Sequence, residues 1–334
     1  MKEENTITVR SQKIQSDRTK ARLYFFLFLT ALLLLIVIFA EQICPYDPNA
    51  QDTGAALLPP GSGHIAGTDR FGRDMLSRIL VGLKTSVTSA LILVSVITVT
   101  GSILGLICGY FGGIADTVIM RISDICLAFP GLVFAMAIAA LLNGGISNAV
   151  LALAVISWPK YARIARSQTL TVKNTNYMAA SQLAGCTFAQ MIRRHILPNI
   201  AGPILVTSML DIGTMMMELA GLSFLGLGAQ PPTAELGNMM SGGRSMLQTY
   251  PWVVIGPGLA IFAAVVIFNL CGDAVRDWLD PHSGRRKEAT EERKNEDKTI
   301  QKDNGLSGST LYKRKFACRL RKSEKCRRYT DRKQ

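Results

Sequence analysis

Tyr177–Asn199 reads Y-M-A-A-S-Q-L-A-G-C-T-F-A-Q-M-I-R-R-H-I-L-P-N. The stretch is polar, basic and broken by turn residues. It separates apolar runs that are too long for a soluble core. A helix needs about 20 mostly apolar residues to cross a bilayer, and Ile200–Gly228 downstream offers 29. A segment carrying Lys173, Arg193 and Arg194 beside such runs belongs in water on the cytoplasmic side. Ala179, Ala180, Ser181 and Ala184 give a first short helix a smooth face. Gly185 permits a turn, a second helix starts near Thr187, and Pro198 stops it before the next span. Such a two-helix elbow suits a groove on another protein. An ordinary surface loop fits the same residues, and chemistry alone leaves both readings open.

Five more spans follow from apolar runs on either side. They are Leu23–Ala40, Val87–Gly109, Ile125–Leu142, a short run from Ala149 extended to Tyr161–Ala165, and Val253–Cys271. The first run is an uncleaved anchor, because Glu41-Gln42-Ile43 offers no small-residue cleavage site. Gly101 and Gly105 form a G-x-x-x-G pair that lets helix backbones approach closely. Pro130 lies inside the third span and Pro159 inside the fourth, with Lys160, Arg163 and Arg166 at the latter's cytoplasmic exit. Six spans put both chain ends and the loop 166–199 on one side. All three are rich in Lys and Arg, which makes that side the cytoplasm.

The expected fold class is therefore an all-α integral membrane protein with six transmembrane helices. Residues 1–22 form a cytoplasmic segment and 23–282 the membrane domain. That domain includes an extracytoplasmic loop over 41–84 and the cytoplasmic loop 166–199. Within 67–78, Asp69, Arg70, Arg73, Asp74 and Arg78 read as a solvated interfacial helix. Residues 229–251 read as an external loop. Residues 283–334 hold 18 Lys/Arg against 8 Asp/Glu, so +10 of the chain's net charge of +13 belongs to this tail. Its composition cannot bury enough apolar surface to repay ordering, so disorder is expected. The anionic inner leaflet is its simplest partner, and no nucleic-acid partner is expected.

Chemistry-bearing patterns are sparse. The seven cysteines include no C-x-x-C, and His64, His195 and His282 lie far apart. No cofactor, metal site or catalytic residue is assigned. There is no phosphate-binding loop, nucleophile elbow or H-E-x-x-H. A membrane-embedded hydrolase would need paired polar groups within spans, and a scaffold would need a folded reading module. A passive pathway driven by a partner fits better. Asp211 and Glu218 stand seven residues apart on one face of the fifth span. Acids in a span usually face a wet cavity or a partner, so these two are candidates for guiding a cation. The methionines at 215–217 read as packing residues.

Y-x-x-A-x-x-x-x-G followed by H-I-L-P resembles the "EAA" coupling loop of ABC-importer permeases, which docks on the ATP-binding subunit. Tyr177, Ala180, Ser181, Gly185, His195, Leu197 and Pro198 match this pattern. Ala179 stands where the family has Glu. G-T-D-R-F-G-R-D-M-L-S-R (67–78), F-P (129–130), S-F-L-G-L-G (223–228), P-P-T-A-E-L-G (231–237) and N-L-C-G-D-A-V-R-D-W-L-D-P (269–281) are similar to the oligopeptide/dipeptide/nickel permeases, C-type subunit. The likeness covers about residues 20–282. It implies a type I permease bundle in the cytoplasmic membrane of a bacterium. It also implies a sister permease in a heterodimer, two ATP-binding subunits and an extracytoplasmic solute-binding protein. D-I-G-T-M-M-M-E-L-A-G (211–221) and P-T-A-E-L-G (232–237) look closer to the nickel branch. Nickel or a nickel chelate is the expected solute, with peptides the alternative.

Overall fold

The structure, a computed structural model, describes residues 2–279 apart from residue 62, with side chains from Thr19 onward. The disorder expected of 283–334 lies outside the described residues. Those residues form helices and connecting loops. The long elements are α1 (Lys2–Ile38), α2 (Met75–Phe111), α3 (Gly113–Ala128), α4 (Gly131–Leu141) and α5 (Ile146–Lys173). After them come the short α6 (Asn176–Leu183) and α7 (Phe188–Met191), then α8 (Leu197–Phe224), α9 (Leu236–Gly243) and α10 (Trp252–Leu279).

Thr19–Ile38, Met75–Phe111, Phe188–Phe224 and Trp252–Leu279 are long and apolar enough to cross a membrane. The third expected span, Ile125–Leu142, is not one helix. The chain breaks at Phe129-Pro130, and α3 meets α4 at 94°. The cause is local. Pro130 cannot donate a backbone hydrogen bond, and it pushes Phe129 into an extended conformation (φ −102°, ψ 150°). Together α3 and α4 form a bent fifth candidate.

The sixth candidate is α5. Its 28 residues reach about 42 Å at 1.5 Å per residue, more than a hydrocarbon core of about 30 Å. Its charges explain why it reads as short. Three of its four cations are each met by an acid from another helix, and the fourth, Lys173, donates to the Tyr110 carbonyl. Lys160 pairs with Asp211 (2.6 Å), Arg163 with Asp124 (2.6 Å), and Arg166 reaches both oxygens of Asp116. Lys160 sits halfway along the helix, and Pro159 is accommodated inside it.

The tightest helix pair is α2 on α5. Gly101 and Gly105, joined by Gly109, place backbone against backbone. A Cβ at Gly101 would stand 2.5 Å from the Trp158 carbonyl oxygen, and one at Gly105 would stand 2.2 Å from that of Ala162. At Gly109 it would meet the Thr169 side chain at 2.7 Å. Similar close approaches join α8 to α10, where Gly213 faces Asn269 and Gly272 faces Leu210.

The stretch 67–78 corrects its sequence reading. It is a buried knot, not a solvated helix, and the helix begins only at Met75, capped by Asp74. Asp69, Arg73, Asp74 and Arg78 are all buried. The Asp69 carboxylate accepts from Arg73 Nε at 2.7 Å and from the Phe71 and Arg73 backbone amides, with Arg78 Nε 3.7 Å away. Asp74 accepts from the Ser77 amide and hydroxyl and bonds His64 Nδ1 at 2.9 Å. Arg78 donates to the Pro48 carbonyl. Gly72 closes the turn at φ +74°, where a Cβ would collide with the Asp52 carbonyl. Charges so close-packed exclude water by satisfying one another.

The expected external loop 229–251 also contains structure. Its Glu235 side chain caps α9 by accepting from the Gly237 and Asn238 amides, and Ser86 Oγ donates to it at 2.9 Å. This buried carboxylate ties α9 to α2.

Two stability outcomes follow from this packing. Gly105→Leu forces α2 from α5 and lowers stability by about 3 kcal/mol. Gly202→Ala, where a Cβ meets open space, stays within about 0.5 kcal/mol. Thermal unfolding in detergent reads both. Asp69→Asn leaves buried guanidiniums without their carboxylate and costs about 3 kcal/mol. It should also speed proteolytic cleavage within 41–74, and an unchanged digestion rate would contradict the knot's structural role.

Candidate functional site

The elbow is present as two short helices. α6 ends at Leu183, and Gly185 turns the chain at φ +77°, a conformation that favours glycine. α7 starts after Thr187, whose side chain and that of Gln190 form a reciprocal capping box. Pro198 does not stop the second helix. It lies in the first turn of α8. A π-helical turn over Ile192–Ile196 carries the helix from α7 into α8. Elbow and span are therefore mechanically continuous from Phe188 to Phe224.

Only one side of the elbow is packed. Met178 and Met191 are buried beneath it. Phe188 stacks edge-on against Tyr110 (4.6 Å between centroids) and lies 5.1 Å from Phe111. Lys173 donates to the Tyr110 carbonyl at 2.6 Å. Ser181 Oγ and His195 Nε2 lie 3.2 Å apart and link α6 to the π-turn. Asn199 donates to the His195 carbonyl and approaches the Tyr177 hydroxyl at 3.4 Å. The opposite side is open. Ala179, Ala180, Gly185, Leu197 and Pro198 are exposed, Tyr177 is 44% exposed, and Leu183 is 91% exposed at the tip. Thus Ser181 and His195 hold the elbow's shape, and the small residues face outward.

The two acids of α8 have different surroundings. Asp211 is buried. Lys160 donates to its Oδ1 at 2.6 Å and the Tyr161 hydroxyl to its Oδ2 at 2.9 Å. Its charge is already balanced within the chain. The sequence could not show this pairing, because the partners lie 51 and 50 positions away. Glu218 is half-buried, with no hydrogen bond or ion pair among the described residues. It lies on the side of α8 that carries exposed Thr214 and Met217 and the open Gly221. Among the described residues, no group of three or more His, Cys, Asp or Glu is placed to hold a metal ion.

A model of the binding-protein-dependent transport system inner membrane component matches residues 101–285. The probable D,D-dipeptide transport system permease protein DdpC of Escherichia coli K12 is 42% identical over 294 residues, covering 85% of this chain and 98% of that protein. The dipeptide transport system permease protein DppC of Haemophilus influenzae is 43% identical over 253 residues, 74% of this chain and 86% of that one. The nickel transport system permease protein NikC of E. coli K12 is 38% identical over 267 residues, 80% and 96% of the two chains. An inward-facing structure of the MetNI methionine ABC transporter superposes with a TM-score of 0.51 at 18% identity, covering 62% of this chain and 98% of that one, and bears on the fold alone. These relatives are membrane permeases rather than enzymes. The chain belongs to the binding-protein-dependent transport system inner membrane components, as a permease of the peptide/glutathione/nickel ABC importers.

Proposed function

We propose that this permease forms half of a translocation pathway for a small peptide, with the elbow 177–198 receiving force from an ATP-binding subunit. The observation that carries the mechanical part is the elbow's one-sided burial. An aromatic and methionine base fixes it to α2, and its small-residue face has no cover among the described residues. Shape, rather than the absent Glu at position 179, would do the docking. Two ATP-binding subunits would grip this elbow and that of a sister permease. An extracytoplasmic solute-binding protein would deliver solute at the opposite end, where α9 and the 67–78 knot lie. This reading puts the elbow, 1–22 and the end of α10 in the cytoplasm of a bacterium, in agreement with their basic residues.

Peptide is preferred over nickel for two reasons. The two dipeptide relatives are 42% and 43% identical, the nickel relative 38%. Asp211, an acid that could guide a cation, is already engaged by Lys160. Nickel or its chelate is the second reading, favoured by the nickel-like wording of 211–221 and 232–237. Uptake of a labelled dipeptide and of radioactive nickel by cells expressing the full importer separates the two.

Gly185→Asp should insert and assemble normally but lose ATP-driven uptake, because an L-residue strains the turn and a carboxylate enters the docking face. Uptake near the wild-type rate would overturn the docking role. Leu183→Cys should react with a membrane-impermeant maleimide in inverted vesicles and not in intact cells. The opposite pattern would place the elbow outside.

A further inference from the structure

Lys160 is the most unusual cation in the bundle. It sits halfway along α5, yet 49% of its side chain is exposed, against 5% for its partner Asp211. An ammonium on a membrane-spanning helix does not face hydrocarbon. It must open onto a wet path or a partner helix. Asp211 uses one of its three donors, leaving two for another acceptor. The buried carboxylate lies behind the ammonium, held by the Tyr161 hydroxyl at 2.9 Å. From the open side the pair presents positive charge.

Glu218 supplies the opposite pole. It stands seven residues beyond Asp211, about 10 Å along the same face of α8. No side chain among the described residues bonds to it. Its neighbours on that face, Thr214 and Met217, are exposed, and a Cβ on Gly221 would meet open space. An extended dipeptide spans about 7 Å, and flexible Lys and Glu side chains close the remaining gap.

We propose that Lys160 and Glu218 are the two poles of a constriction selective for zwitterions, with Asp211 and Tyr161 as positioning residues for Lys160. The solute carboxylate meets Lys160 Nζ and its ammonium meets Glu218. The proposal rests on the permease reading and on peptide as solute, and it names the chemistry that reading leaves open. A solute with both end charges is held at each pole, and one lacking either end charge forfeits a charge-assisted hydrogen bond.

The test uses the complete importer, reconstituted in vesicles with ATP. The probes are labelled dialanine, N-acetyl-dialanine, dialanine amide and radioactive nickel. Wild type should prefer dialanine to either capped form. Glu218→Gln should lower dialanine uptake about tenfold and erase the preference over the N-acetyl form, with the preference over the amide intact. Lys160→Arg should retain uptake, and the charge-neutral pair Lys160→Met with Asp211→Asn should erase the preference over the amide alone. Assembly of each variant is checked by co-purification of the ATP-binding subunits. If wild type imports dialanine and Glu218→Gln does so equally well with unchanged preferences, the constriction is wrong and the permease reading survives. If wild type imports nickel and not dialanine, both the peptide reading and the constriction fall.

Discussion

Charge inside a bilayer has to be met by charge, and α5 is where this constraint shapes the molecule. The helix carries Lys160, Arg163 and Arg166, and the acids that meet them come from α8 and α3. On its other side the glycine stripe of α2 lies against its backbone. Remove the acids and α5 would carry unpaired cations where it meets α3 and α8. Remove the glycines and the cations would lose the fixed frame that aims them. Three helices are thereby positioned around one by two kinds of short-range contact, neither of which is the hydrophobic effect. That is expected in lipid, where apolar side chains gain little from leaving one greasy environment for another.

The same logic links the elbow to the centre of the bundle. Phe188 is clamped to Tyr110 and Phe111 at the end of α2, and Lys173 closes α5 onto the same spot. The π-turn at Ile192–Ile196 then passes directly into α8, the helix that carries Asp211 and Glu218. A force applied to α7 reaches α8 without crossing a loop, and α6 is tied to the π-turn through Ser181 and His195. A π-turn holds one residue more than an α-turn, so it offers local give while the helix axis persists. Under the proposed function, the elbow is the handle of a lever whose other arm holds the polar groups of the path.

The sequence made the helical class, the elbow and the G-x-x-x-G contact legible, because each rests on local pattern. Apolar length marks a span, Gly185 marks a turn, and glycine at a spacing of four marks close approach. What it hid depends on distant pairing. Dense charges at 67–78 read as solvated, since nothing in the string shows that Asp69 encloses Arg73 and that Asp74 meets His64. α5 read as short because its cations counted against it, although their acids lie on other helices. Pro198 read as a stop, yet a proline in a first turn continues a helix that reaches it through a widened turn. Pro130 reads as lying inside one span, and there the chain breaks. The two prolines differ in what precedes them. Leu197 is already helical (φ −56°, ψ −45°), whereas Phe129 is extended.

The Lys160–Asp211 pair has no adequate explanation in stability. An ion pair whose carboxylate is buried gains little over well-packed apolar residues of the same volume, because desolvation of the acid consumes most of the attraction. The arrangement is also asymmetric. A pair built only to hold α5 against α8 would bury both partners, yet Asp211 is enclosed and Lys160 is half open. Tyr161, fully buried next to it, spends its hydroxyl on the carboxylate and so fixes the acid rather than the amine. The acid is the anchored member and the amine the presented one. Under the proposed constriction, an ammonium presented halfway along α5 and an unpaired carboxylate two turns beyond Asp211 on α8 give the path a direction of charge that lipid contact alone would never require.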